Sequence, residues 1–211
     1  MSRIWDISQT LRTGLPVWPG DTEYQANRTW VLEGGCPVNV ARVTFSTHSG
    51  SHADAPLHYD PQGLAMDEVA LDTYIGPCLL LDVRHARGLV EPADIEAQLP
   101  AKVERVLLRT YAQFPHQQWH SDFVAIAAAT IDLLASRGAR LIGIDSPSID
   151  PEQSKTLDAH HAVRRHGMAI LEGLVLDDVP AGLYELIAPP LKLSGLDASP
   201  VRALLRSIER D

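Results

Sequence analysis

Residues 48 to 58 read His-Ser-Gly-Ser-His-Ala-Asp-Ala-Pro-Leu-His, the stretch of this chain best equipped for chemistry. Three imidazoles (His48, His52, His58) and the carboxylate of Asp54 share the run with small residues and no Lys, Arg or Glu. Imidazole nitrogen and carboxylate oxygen are the donors that suit zinc and similar divalent transition metals. A lone histidine at a strand end is usually a surface group, but a cluster this dense is a candidate metal site. The preceding Val40 to Thr47 has the Val, Thr and Phe content of a strand, so His48 is expected near its end, with Gly50 permitting a sharp turn. In an extended chain His48, His52 and Asp54 would share one parity and point to one side. Pro56-Leu57 redirects the chain before His58, so that ring is expected beside a metal, with a place on it left open.

Closing such a site needs donors from elsewhere in the chain. Asp145 ends the apolar run Leu141 to Ile144 and Asp150 follows it; polar residues at strand ends commonly line sites on α/β scaffolds. Asp158, His160 and His161 stand at a predicted helix start. Neighbours on a helix point about 100° apart, so at most one of the two histidines faces a site, and spacing alone leaves open which. Glu172 interrupts the apolar stretch Ala169 to Leu174. A carboxylate there is costly unless paired or bound to metal, which makes it a candidate ligand. His85, His116, His120 and His166 lie among charged or loop residues and read as surface groups.

The elements that must position these groups follow from pattern. Strand-like runs cover Ile4 to Ser8, Val40 to Thr47, Cys78 to Val83, Val103 to Arg109, Leu141 to Asp145, Met168 to Glu172, Leu183 to Ala188 and Leu191 to Leu193. One helix opens at Glu91-Pro92 and ends by Leu99-Pro100, with proline at an early helical position. A second covers Thr130 to Arg137 and stops at Gly138. A third covers Leu157 to His166 and stops at Gly167, its last turn carrying Arg164, Arg165 and His166 against the helix dipole. Strand and helix alternate through the middle of the chain, which predicts a mixed α/β domain with one central sheet system.

At 211 residues with 45% hydrophobic content, the chain is expected to form one domain over residues 1–211. A formal charge of −9 argues against nucleic acid and anionic membrane surfaces as partners. No apolar run approaches the roughly 20 residues of a membrane span. The opening Met1 to Asp6 lacks the apolar core of a secretory signal, and Cys36 and Cys78 stand alone; both features fit a reducing cytoplasm. No G-x-S-x-G nucleophile elbow is present, which sets aside a serine hydrolase.

The run from His48 to His58 resembles the HxGTHxDxPxH signature of the metal-dependent cyclase family, whose members include bacterial kynurenine formamidase and isatin hydrolase. Ser51, where the family often has Thr, keeps the hydroxyl. The likeness continues through Leu15 to Asp21, Asp145 to Ser148, His160-His161, Ile170 to Leu174, and Pro190 to Gly195 with Ser199 to Arg202. It implies a swivelling β/β/α domain with a mixed sheet core, a homodimer, and two divalent metal ions per chain: Zn2+ by ligand preference, with Mn2+ or Co2+ as alternatives. By the same resemblance His48, His52 and Asp54 hold one ion, Asp54 bridges to a second held by His160, and Glu172 contacts both. His58 matches an acid/base residue and Trp18 a substrate-contacting aromatic. The implied activity is hydrolysis of N-formyl-L-kynurenine to L-kynurenine and formate in tryptophan degradation. The alternatives are a cyclic amide hydrolase of the isatin type and a non-enzymatic metal-binding protein.

Overall fold

A computed structural model describes residues 2–208. In chain order its strands are β1 (Ile4–Asp6), β2 (Gln25–Trp30), β3 (Val40–Thr44), β4 (His52–Asp54), β5 (Ile75–Asp82), β6 (Leu89–Val90) and β7 (Arg105–Arg109). They continue as β8 (Ala125–Ile126), β9 (Leu141–Ile144), β10 (Ala169–Glu172), β11 (Gly182–Ile187), β12 (Ala198–Pro200) and β13 (Leu204–Ser207). The α-helices are α1 (Pro92–Ile95), α2 (Ala128–Ser136) and α3 (Asp158–His166).

Nine strands form one mixed sheet in the order β1-β13-β11-β5-β7-β9-β10-β4-β12. Its centre, β5-β7-β9-β10, is parallel. Parallel strands are covered on both faces and therefore read as continuous apolar runs; Val106, Leu107, Leu108, Leu141, Ile142 and Ile144 are all fully buried. Alternation divides them between two cores. Val106, Leu108, Ile142 and Ile144 pack with Ile131 and Leu134 of α2 and with Ala162 and Val163 of α3. Leu107, Leu141 and Leu171 face the other way, towards Leu80, Leu174, Leu186 and Leu205.

The helix ends fall where the punctuation predicted. Gly167 closes α3 in the left-handed region at φ 60°, after a last turn holding Arg164, Arg165 and His166. Gly138 follows α2 at φ 89°. At α1 a capping box joins Glu91 to Asp94, but the α-helical part stops at Ile95 and a 3-10 turn over Glu96–Gln98 completes the segment.

Several predicted strands need correction. Leu191 to Leu193 is a turn rather than a strand, with the Leu193 amide bonded to the Leu191 carbonyl at 2.9 Å. Pro189 and Pro190 just before it have no N–H to give a ladder. The strand expected to reach Thr47 ends at Thr44, and the amide of Ser49 closes a turn on the Ser46 carbonyl at 3.0 Å. His48 therefore lies on a turn, and the shared parity holds for His52 and Asp54 alone. Strands that pattern did not reveal are β2, β4, β6, β8, β12 and β13. The first pairs with β3 in a hairpin exposed along its whole length, so burial imposes no alternation on it. The others are only two to four residues long.

The placement of β4 matters most. It lies antiparallel between β10 and β12, with His52 opposite both Glu172 and Pro200, and Asp54 opposite both Ile170 and Ala198. Residues directly opposite in such a pair hold their Cβ atoms about 4.5–5.5 Å apart. Strand pairing thus brings the carboxylate of Glu172 to the histidine cluster.

Candidate metal centre

The turn before β4 is built on two glycines. Gly50 has φ 67°, and a Cβ there would meet Leu11 Cδ2 at 2.9 Å. Gly173, just past β10, has φ 63°, and its Cβ would lie 2.6 Å from the Gly50 carbonyl oxygen. Between these backbones the Ser51 hydroxyl donates to the Gly173 carbonyl at 2.6 Å and accepts the Gln9 amide at 2.9 Å. The hydroxyl of the motif thus clamps the histidine turn to the end of β10.

Five donor side chains converge beyond this clamp. Asp54 Oδ1 lies 3.1 Å from His48 Nδ1 and 3.4 Å from His52 Nε2, while Asp54 Oδ2 lies 3.4 Å from His160 Nε2. Glu172 is divided in the same way, with Oε2 3.2 Å from His52 Nε2 and Oε1 3.8 Å from His160 Nε2. Two carboxylates therefore each turn one oxygen towards His52 and the other towards His160.

These approaches are close but are not hydrogen bonds. Both Asp54 oxygens, His52 Nε2 and His160 Nε2 are buried with no hydrogen-bond partner among the described residues. Buried polar atoms are rarely left unpaired. Here their lone pairs aim at common points, which is how ligands surround a cation. The outer ring nitrogens set that aim. His52 Nδ1 donates to the Gly50 carbonyl at 3.0 Å, and His160 Nδ1 donates to Asp150 Oδ2 at 2.7 Å, so each Nε2 stays free for a metal. Asp150 also accepts the amides of Ala159 and His160 at 3.1 and 3.0 Å, capping the start of α3 and fixing its phase.

The electrostatics agree. Burial would lower His48 and His160, but Asp54 with Asp197 around the first ring, and Asp150 with Asp54 around the second, raise them to about 9 and about 10. Burial would raise the Asp54 carboxyl, yet contacts with His160, His48 and His52 hold it well below the usual carboxylate range. A field this negative, with unpaired donors inside it, suits a divalent cation. His48, His52 and Asp54 bring one donor atom each within 4.8 Å of one another, and so do Asp54, His58 and His160.

Of the other expected residues, some line the cluster and some lie away from it. His160 is buried while His161 is exposed, which resolves the helix phase. His58 ends a short 3-10 turn over Pro56–His58 at the rim, its side chain 33% exposed and its ring centroid 4.3 Å from that of His48. Trp18 lines a cavity of about 310 Å³ that opens onto His48, His52, His58, His160 and Glu172. Asp158 is exposed. Asp145 points elsewhere, accepting both amides and the hydroxyl of the Thr110–Tyr111 segment at 2.6–3.0 Å. His85, His116, His120 and His166 are exposed, as expected.

Trp119 and Asp197, at the cavity and its rim, escaped the reading of the chain. Trp119 lines the cavity, edge-on to Trp18 with ring centroids 5.4 Å apart, and its indole N–H donates to Glu152 at 2.6 Å. Asp197 meets His48 Nε2 at 2.9 Å. Neither carries a local pattern that would mark it; only its distant partners do.

With this geometry in hand, comparison with known proteins is informative. The chain is 58% identical over 208 residues, 99% of its length and 100% of the relative's, to a curated kynurenine formamidase of Sphingopyxis alaskensis. A solved structure described as a potential metal-dependent hydrolase with cyclase activity is 33% identical, covers 100% of both chains and superposes with a TM-score of 0.85. Isatin hydrolase A of Labrenzia aggregata, at 24% identity, covers 99% of this chain and 94% of its own with a TM-score of 0.84, a likeness of fold. The family profile for cyclases matches residues 5–151. The chain belongs to the cyclase family.

Proposed function

We propose that this protein is a metal-dependent arylformamidase that cleaves the formamide C–N bond of N-formyl-L-kynurenine, releasing L-kynurenine and formate. The observation that carries this reading is the full-length 58% identity to a kynurenine formamidase, in a chain whose cavity opens onto His48, His52, His160 and Glu172 beside the buried Asp54. In this reading His48, His52 and Asp54 would hold one ion, His160 with Asp54 would hold a second, and Glu172 would serve both. Zinc fits the donor set best, with manganese or cobalt as alternatives. The enzyme would work as a homodimer in the cytoplasm, within tryptophan degradation.

Bound divalent cations would supply Lewis acidity and a water of lowered pKa. The chain's own residues do the rest. Trp18 and Trp119 stand edge to face at the cavity wall and give the aromatic ring of the substrate an apolar surface, with stacking worth about 0.5–1.5 kcal/mol beyond area burial. An aryl amine leaves poorly as an anion, so its nitrogen must receive a proton as the C–N bond breaks. His58, at the rim and less enclosed than the buried donors, can take a proton from the attacking water and return it to that nitrogen.

The test is turnover by metal-replete protein of formylkynurenine and isatin, side by side. Clear preference for formylkynurenine is expected. Preference for isatin would move the protein to cyclic amide hydrolysis, and turnover of neither by metal-loaded protein would favour a binding role.

A further inference from the structure

Asp197 lies 149 positions beyond His48 in sequence, yet its carboxylate sits between two of the site's histidines. One oxygen, Oδ2, accepts from His48 Nε2 at 2.9 Å and lies 3.5 Å from His58 Nδ1. The other, Oδ1, accepts the Thr47 hydroxyl at 3.1 Å. The backbone is tied down as well. The Asp197 carbonyl accepts the Ala55 amide at 2.8 Å, and the next residue, Ala198, pairs with Asp54 in the sheet. The carboxylate is thus anchored on both sides of the histidine run, although its side chain is 41% exposed.

We propose that Asp197 is a positioning residue for both histidines: by sharing Oδ2 between their rings it orients His48 as a donor and His58 as a proton carrier together. This deepens the hydrolase reading and rests on it. With its Nε2–H given to Asp197, His48 presents the lone pair of Nδ1 to the side of Asp54 Oδ1, 3.1 Å away. A carboxylate behind a ligating imidazole raises its basicity and fixes its tautomer. With Nδ1 turned to the same oxygen, His58 leaves Nε2 for the cavity, the arrangement in which a carboxylate orients an acid/base imidazole. The two rings lie 4.3 Å apart at 48°, so neither can turn without disturbing the other or the shared oxygen.

The test uses the full-length protein with Asp197→Asn, which keeps shape and one acceptor oxygen, and with Thr47→Val, which frees the carboxylate from its anchor. Zinc affinity, measured by chelator competition without substrate, should fall about 10- to 100-fold in Asp197→Asn and less in Thr47→Val. In zinc-saturated wild-type protein, histidine ring 15N–1H spectra should show His58 as the Nδ1–H tautomer and Asp197→Asn should show a mixture. In zinc-saturated enzyme kcat should fall about 10- to 100-fold with KM within about threefold. An aryl formate ester whose leaving group departs without a proton should recover much of the loss. Wild-type turnover of formylkynurenine is the control: its absence would count against the substrate assignment and leave the affinity and tautomer results to judge Asp197. A folded Asp197→Asn with affinity, tautomer and kcat within about twofold of wild type overturns the proposal. So does a third metal equivalent present in wild type and missing from the variant, because Asp197 would then be a ligand with His48 and His58. If Asp197→Asn does not fold, Thr47→Val decides, and wild-type values in that variant overturn the proposal.

Discussion

Replacing Glu172 by alanine gives the sharpest test of how the centre is built, especially beside His161→Ala. Glu172 is buried on β10, and its two oxygens reach towards His52 at 3.2 Å and His160 at 3.8 Å. It also accepts the buried amide of Ile149 at 2.7 Å. Two losses follow from its removal, and they can be measured separately. The Ile149 amide, left without a partner, costs about 1–3 kcal/mol. Relief of negative charge beside Asp54 offsets part of that cost. For a domain of this size 1 kcal/mol moves Tm by about 2–4 °C, so metal-free Glu172→Ala should melt no more than about 10 °C below metal-free wild type. The loss at the metal is larger. Partners outside the ligand shell are worth about 10- to 100-fold in affinity, so a carboxylate offering an oxygen to each side should be worth more than about 100-fold. That is above roughly 2.7 kcal/mol. Chelator competition and metal analysis after dialysis read affinity and content, and melting in chelator reads the metal-free fold. His161→Ala, on the exposed side of α3, should leave both at wild-type values. Glu172→Ala with affinity within about threefold of wild type would refute the ligand assignment. Loss of metal from His161→Ala with retention in His160→Ala would refute the helix phase.

Other consequences are as direct. Extensive chelation should abolish hydrolysis, and zinc or manganese should restore it with close to two equivalents per chain; full activity in metal-free protein would end the metal reading. His58→Ala should stay folded and keep its metal while kcat falls about 10²–10⁴-fold, or roughly 3–5 kcal/mol of barrier, and loss of metal instead would make His58 a ligand. Gly173→Ala drives a Cβ to within 2.6 Å of the Gly50 carbonyl and demands a left-handed backbone, so calorimetry should show a loss above 1 kcal/mol together with reduced metal content. Asp145 lies outside the cluster and has its own pH signature, because burial outweighs its hydrogen bonds and raises its carboxyl from 3.8 to about 6. A carboxyl whose folded pKa is raised contributes stability that is full below the unfolded value and lost as pH rises through the folded one. Against Asp145→Asn, wild type should therefore lose about 3 kcal/mol between about pH 4 and pH 6, and a pH-independent difference in denaturant titrations would disprove it.

The candidate donors of the centre were legible in the chain because they are concentrated. His48, His52 and Asp54 fall within one short run where suitable donor types can be read without knowledge of the fold. Glu172 was legible for a complementary reason, since a carboxylate in an apolar stretch must answer for its burial. The central strands and the glycine stops of α2 and α3 were legible as apolar runs and as Gly138 and Gly167 after helical stretches, and their parallel pairing came from the fold.

Tertiary structure decided what depends on distance across the fold. The choice between His160 and His161 turns on the phase of α3, which is set by the cap that Asp150 places on its first amides. His48 joins the cluster through a turn rather than an extended strand, because the clamp between Ser51 and Gly173 bends the chain there. The three-residue strand β4 has too few positions to show a period, and it exists because β10 and β12 pair with it on either side. Trp119 and Asp197 belong to the site only through partners far away in sequence: Glu152 and Trp18 for one, Thr47, His48 and His58 for the other. Local sequence carries ligand chemistry and periodicity; which carboxylate meets which imidazole is settled only when the sheet closes.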